Sequence, residues 1–145
     1  VKINGKNYVE RAIIKAIKND IAIYAIHTNL DNVYHNGVNG RIAQKLGLIN
    51  TAILAPKEPD EATIGSGMIG ELPKAVKTSD FLKFLKETMK VGCIRHTSLV
   101  KDEIKKVALC GGSGSFLIGN AIRHQADIFI SADIKYHEFF DADGK

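Results

Sequence analysis

Tryptophan is absent from this chain, and cysteine and proline are scarce: 145 residues hold two cysteines and three prolines. Two cysteines, Cys93 and Cys110, are too few for a disulfide scaffold. Both lie in apolar sequence surroundings and read as buried free thiols of a reducing compartment, so a cytoplasmic location is expected. No apolar run approaches the roughly 18 residues of a membrane span. The opening, VKINGKNYVERA, has no apolar h-region and is not read as a signal peptide. Neither sign of charge dominates: 20 Lys+Arg against 16 Asp+Glu leave +4. The basic residues stand singly or in pairs, as at Lys105 and Lys106, and the aromatics do not interleave with them. That pattern gives a solvated, mildly basic surface and argues against a nucleic-acid partner. What the chain does have is apolar content, 45 %. A chain of this length buries roughly 68–70 % of its unfolded surface, enough for one core without staples.

The apolar periodicity supplies the elements. Residues 8–19 place Tyr8, Ala12, Ile13, Ala16 and Ile17 on one helical face. Residues 21–26, IAIYAI, are apolar at nearly every position and predict a strand buried on both faces. Asn39 is expected to cap a short helix over residues 40–46, which Gly47 ends. A strand is expected at residues 51–54. Two prolines and three acids mark residues 56–63 as a solvent-facing loop, and residues 66–72 read as a short irregular strand. Residues 78–90 form the clearest helix, capped by Thr78 or Ser79 and facing the core with Leu82, Leu85 and Met89 beside Phe81. The last third reads as strand 106–110, glycine turn 111–115, helix 116–124 and strand 127–131, a parallel crossover unit. Helices alternating with buried strands predict an α/β protein with helices on both sheet faces.

In such folds ligands gather outside the carboxyl ends of the strands. Three loops qualify. His27 and Asp31 stand four residues apart after IAIYAI, and an imidazole with a carboxylate suits zinc, iron or manganese. The same residues also serve as a strand-end cap and a turn, and spacing alone leaves both readings open. Asp133 and His137 stand four apart after the last strand, open between a site and a helix cap with a packed ring. The turn GGSGS, Gly111–Ser115, matches neither phosphate motif: Leu117 stands where the dinucleotide fingerprint needs glycine, and no lysine follows. No nucleophile elbow is present, and neither cysteine has an acid–base partner visible in sequence.

HTNLD, NGVNGRIAQKLGL, GSGMIGEL and VALCGGSGSFLIGNAIRHQADIFISADIKYHEFFDA, in this order and spacing, resemble the NIF-three-like family, often labelled GTP cyclohydrolase I type two-like. The resemblance covers nearly the whole chain. It implies a three-layer α/β/α fold with a mostly parallel or mixed sheet, built in the family from two related halves. It implies toroidal homohexamers and a dinuclear centre of two divalent metal ions, zinc, iron or manganese. His27 and Asp31 match one family ligand pair, with Asp31 as the bridging carboxylate. Asp133 and His137 match a segment lining the same cleft and are the expected catalytic residues. The family's His-His pair and its late G-H-Y-x-S-E segment do not occur here. Residues 1–145 are therefore expected to be a single domain or a central fragment of a larger one. The expected function is a metal-dependent, cyclohydrolase-like hydrolase acting on a nucleotide or phosphoester. The alternatives are a non-enzymatic metal-binding scaffold and, third, nucleic-acid binding through a ring lumen.

Overall fold

The computed structural model describes residues 2–60 and 62–145. Its centre is a four-stranded mixed sheet in the order β1 (Ile49–Pro56), β2 (Gly65–Lys77), β3 (Glu103–Ser113), β4 (Ile128–Asp133). The first two pairings are antiparallel and the last, β3 with β4, is parallel. β2 is far longer than its sequence expectation. Its ladder to β3 shifts register between Glu71 and Val76, where Pro73 has no N–H to donate.

Side chains leave the sheet alternately up and down, and each face carries its own core. On one face Met68 and Leu72 of β2 and Ile104, Val107 and Leu109 of β3 pack under α2 (Val38–Lys45) and α3 (Thr78–Thr88). On the other, Leu54, Ala108 and Cys110 meet Leu117 and Ala121, from a 3-10 turn (Ser115–Leu117) and α4 (Ile118–Arg123). Leu54, Val107 and Ala108 are completely buried. Full burial of a large aliphatic side chain contributes about 1.5–3 kcal/mol. Helices thus cover both sheet faces, which is the expected α/β layering. α3 forms as its periodicity predicts, with Phe81 and Leu85 buried. Its cap differs: Lys77 occupies the N-cap without a side-chain bond. The Thr78 hydroxyl instead donates to the carbonyl of Lys101, anchoring the helix to the chain that leads into β3.

Two expectations need correction, those for residues 21–26 and for Cys93. α1 (Tyr8–Lys18) forms, capped by Asn7, whose side chain accepts from the Glu10 amide. Residues 21–26, expected as a doubly buried strand, carry no strand. Ile21, Ile23, Tyr24 and Ile26 are 58 %, 66 %, 87 % and 50 % exposed. Strand propensity needs a neighbouring strand to satisfy its backbone, and the sheet ladder holds only β1 to β4. The cysteine expectation is half right: Cys110 is buried and free, but Cys93 is exposed, lying in the irregular stretch between α3 and β3.

Candidate functional site

The carboxyl ends of β3 and β4 lie side by side, because a parallel pair ends on one edge. Cys110 pairs with Ser131, and Ser113 with Asp133. The glycine turn closing β3 is shaped by contact. A Cβ on Gly114 would stand 2.5 Å from Cys110 Cβ and 2.8 Å from Ser131 Oγ, so only glycine fits. Ser131 Oγ then accepts from the Gly114 amide at 2.9 Å and donates to the Gly112 carbonyl at 2.9 Å. One hydroxyl thereby fixes the turn to the neighbouring strand.

Next to these strand ends lies a cavity of about 510 Å³. Leu85 of α3, Met89 at its C-cap and Ile130 on β4 give it an apolar wall. Cys93, Arg95, Cys110, Ser131 and Asp133 give it polar atoms. This composition, mostly apolar with a few convergent polar groups, is that of small-molecule sites.

The Asp31 loop is tied to the end of β3 beside this cavity without lining it. Residues 30–37 fold back on the start of α2, with the Val38 amide donating to the Leu30 carbonyl at 2.9 Å. Gly37 is required there, since a Cβ would fall 2.1 Å from the Val33 carbonyl oxygen. The side chain of Asn39 then crosses to the sheet. Its Nδ2 donates to the Asp31 carbonyl at 2.7 Å, and its Oδ1 accepts from the Gly111 amide at 2.8 Å. Asn39 had been expected as the N-cap of α2. The cap is Gly37, and Asn39 lies inside the first turn, buried.

Electrostatics agree with this placement. Burial pushes the Cys110 thiol pKa up, and the nearby negative charge of Asp31 pushes it further. Asp31 is half-buried, whereas His27, Asp133 and His137 are exposed. His137 begins α5 (Glu138–Ala142) as its N-cap residue. The following Glu138 is held below the usual carboxylate range by the Lys135 amide and by the Ser115 hydroxyl. The Lys135 bond, 2.7 Å, closes the loop before α5, and the Ser115 bond, 2.8 Å, joins α5 to the turn after β3.

The structure therefore ties the Asp31 loop, through Asn39, to Gly111 at the end of β3, the strand that pairs with β4 as far as Asp133. Of the four residues singled out in the sequence only Asp133 lines the cavity; His27, Asp31 and His137 do not. Among the described residues no three His, Cys, Asp or Glu side chains stand together as a metal-binding group. His27 and Asp31 fit a divalent metal in donor type, but this chain does not close a coordination shell. Sequence reasoning missed Asn39, Cys110 and Arg95 as parts of this region. Only the asparagine carried a signal, polarity at a position facing a core.

The family model described as Duf34/NIF3 (NGG1p interacting factor 3) matches residues 1–145. A "GTP cyclohydrolase 1 type 2 homolog" of Clostridium perfringens is 35 % identical over 127 residues, 88 % of this chain and 48 % of the relative. One of the same name from Streptococcus pneumoniae is 34 % identical, over 86 % of this chain and 46 % of the relative. The chain thus spans about half the length of these curated relatives. A crystal structure of Staphylococcus aureus protein SA1388 superposes with a TM-score of 0.80 at 26 % identity, over 98 % of this chain and 59 % of that one. A Bacillus cereus protein related to NIF3 shares the fold, with a TM-score of 0.82 at 24 % identity, over 97 % of this chain and 65 % of that one.

Proposed function

The chain belongs to the Duf34/NIF3 family, and from that premise we propose that it is the part of a metal-dependent hydrolase that carries one ligand pair and the substrate cleft. His27 and Asp31 are the metal ligands of this chain. The remaining donors come from outside the 145 residues. Zinc, iron or manganese, two ions in the complete protein, would supply Lewis-acid activation of water near neutral pH. The cavity seats a small nucleotide or phosphoester, with Arg95 facing its anionic group. Asp133, on the cavity wall, holds or moves a proton at the substrate, and His137 assists from the start of α5. The name shared by the curated relatives supports a cyclohydrolase-like reaction. The observation that supports the reading is the link of the Asp31 loop through Asn39 to the end of β3, whose parallel neighbour β4 carries Asp133 on the wall of a cavity of small-molecule size.

The test is elemental analysis of the full-length protein with a turnover assay on a nucleotide and phosphoester panel. The expected result is bound divalent metal that Asp31→Ala removes. Folding should be little changed, since loop carboxylates outside the core cost roughly 0.5 kcal/mol or less. Absence of bound metal, or Asp31→Ala holding it as wild type does, would overturn the reading. A second reading, a non-catalytic metal-binding assembly such as a homohexameric ring, is favoured by the exposed apolar run Ile21, Ile23, Tyr24 and Ile26. Bound metal without turnover on any substrate, in a particle of six copies by light scattering, would select it.

A further inference from the structure

We propose that Asn39 is a positioning residue, which sets the Asp31 loop against the end of β3 and so fixes the span from Asp31 to Asp133. This rests on the metal reading of Asp31. Asn39 is 2 % exposed and one of two polar side chains among the buried residues. The other, Thr78, anchors α3 to Lys101 and has no link to the Asp31 loop.

The amide of Asn39 spends a donor on one chain segment and its acceptor on another. The Asp31 carbonyl takes the donor at 2.7 Å and the Gly111 amide meets the acceptor at 2.8 Å. No other short side chain does both from one position. Aspartate has no donor when ionised, and serine is too short to span the gap. Gly111 follows Cys110, the partner of Ser131, and stands two residues before Ser113, the partner of Asp133. A displacement of the Asp31 loop is thereby resisted by the β3–β4 ladder. α2 approaches the strand end closely: a Cβ on Gly111 would lie 3.0 Å from Val38 Cγ1 and 3.1 Å from Ile42 Cδ1. The loop is also held one residue earlier, where the Leu30 carbonyl accepts from the Val38 amide. Asp31 is thus fixed at the backbone on α2 and, through Asn39, on the sheet.

Zinc titration of the full-length protein by calorimetry tests this, with wild type beside Asn39→Asp, Asn39→Ala and Asp31→Ala. Asn39→Asp keeps an acceptor for Gly111 and removes the donor to Asp31. Zinc affinity should fall at least about tenfold in both Asn39 variants, the scale seen when groups orienting metal ligands are lost. Exchange of the Gly111 amide, followed by NMR, should quicken in Asn39→Ala and stay slow in Asn39→Asp. Wild-type zinc affinity in both Asn39 variants, with binding lost in Asp31→Ala, would overturn the positioning role and leave the metal reading standing. Wild-type affinity in Asp31→Ala would overturn both. If neither Asn39 variant folds, the wild-type protein decides. Coupling between sites is reciprocal, so saturating zinc should slow Gly111 exchange, and an unchanged rate refutes the proposal.

Discussion

Asp127 shows how one side chain can hold a strand in place. Its Oδ2 accepts from the amides of Lys105 and Lys106 at 2.9 and 2.8 Å, and its Oδ1 is paired with the Lys101 ammonium. Burial alone would raise its pKa, but the Lys101 bond and the two backbone amides outweigh burial and hold it below the usual range. A carboxyl with a depressed folded pKa stabilises fully above its unfolded value. That contribution is lost as pH falls through the folded value. Asp127→Asn should therefore cost about 1–3 kcal/mol at neutral pH and flatten the acid limb of a urea-midpoint profile against pH. Equal acid sensitivity in both proteins would contradict this. Neither Asp127 nor Asn39 was legible as a tertiary contact. Asn39 meets Gly111 across 72 positions of sequence, a separation that no local pattern encodes. His27 and Asp31 could be singled out as candidates because four-residue spacing and donor type are local properties, and their ligand role comes from the family resemblance.

At the scale of elements, periodicity succeeded where an element buries a face within this chain. α3 is the clear case. Phe81 is 2 % exposed under the sheet, while its neighbour Phe84 is 40 % exposed, the two rings standing 6.2 Å apart. Phe81→Ala should lower unfolding free energy by about 3–5 kcal/mol, and Phe84→Ala by well under half as much, both read from urea denaturation. Similar costs would mean that α3 is packed on the opposite face. β2 was underestimated because Pro73 reads as a strand breaker although the strand runs on to Lys77, and Gly67 and Gly70 make the part before it look irregular. Those glycines are matched to close neighbours: a Cβ on Gly67 would stand 2.7 Å from Leu117 Cδ1, and one on Gly70 would stand 2.9 Å from Thr51 Cγ2. Residues 21–26 fail in the opposite sense, with a strong strand pattern and no strand alongside.

For the molecule as a whole, buried side chains concentrate around the sheet. Its strands, α2, α3 and α4 supply both core clusters, while α1 adds only Ala16 to the buried set. Local stability follows buried contact and backbone hydrogen bonding. Limited proteolysis of the 145-residue chain should therefore cut first within residues 20–30 and leave the sheet with its helices as the resistant product. Initial cleavage between β2 and β3 would show a different distribution of stability. Among the described residues no helix is long and apolar enough to cross a membrane.

The α/β class, α1, α3 and the crossover after β3 followed from sequence, because each rests on periodicity within a few residues, and spacing there singled out His27/Asp31 and Asp133/His137 as candidates only. The antiparallel placement of β1 and β2, the cap of α2 and the crossing of Asn39 from Asp31 to Gly111 did not. These depend on which segments pack together once both sheet faces are covered, and the free energy deciding that comes from contacts between residues distant along the chain.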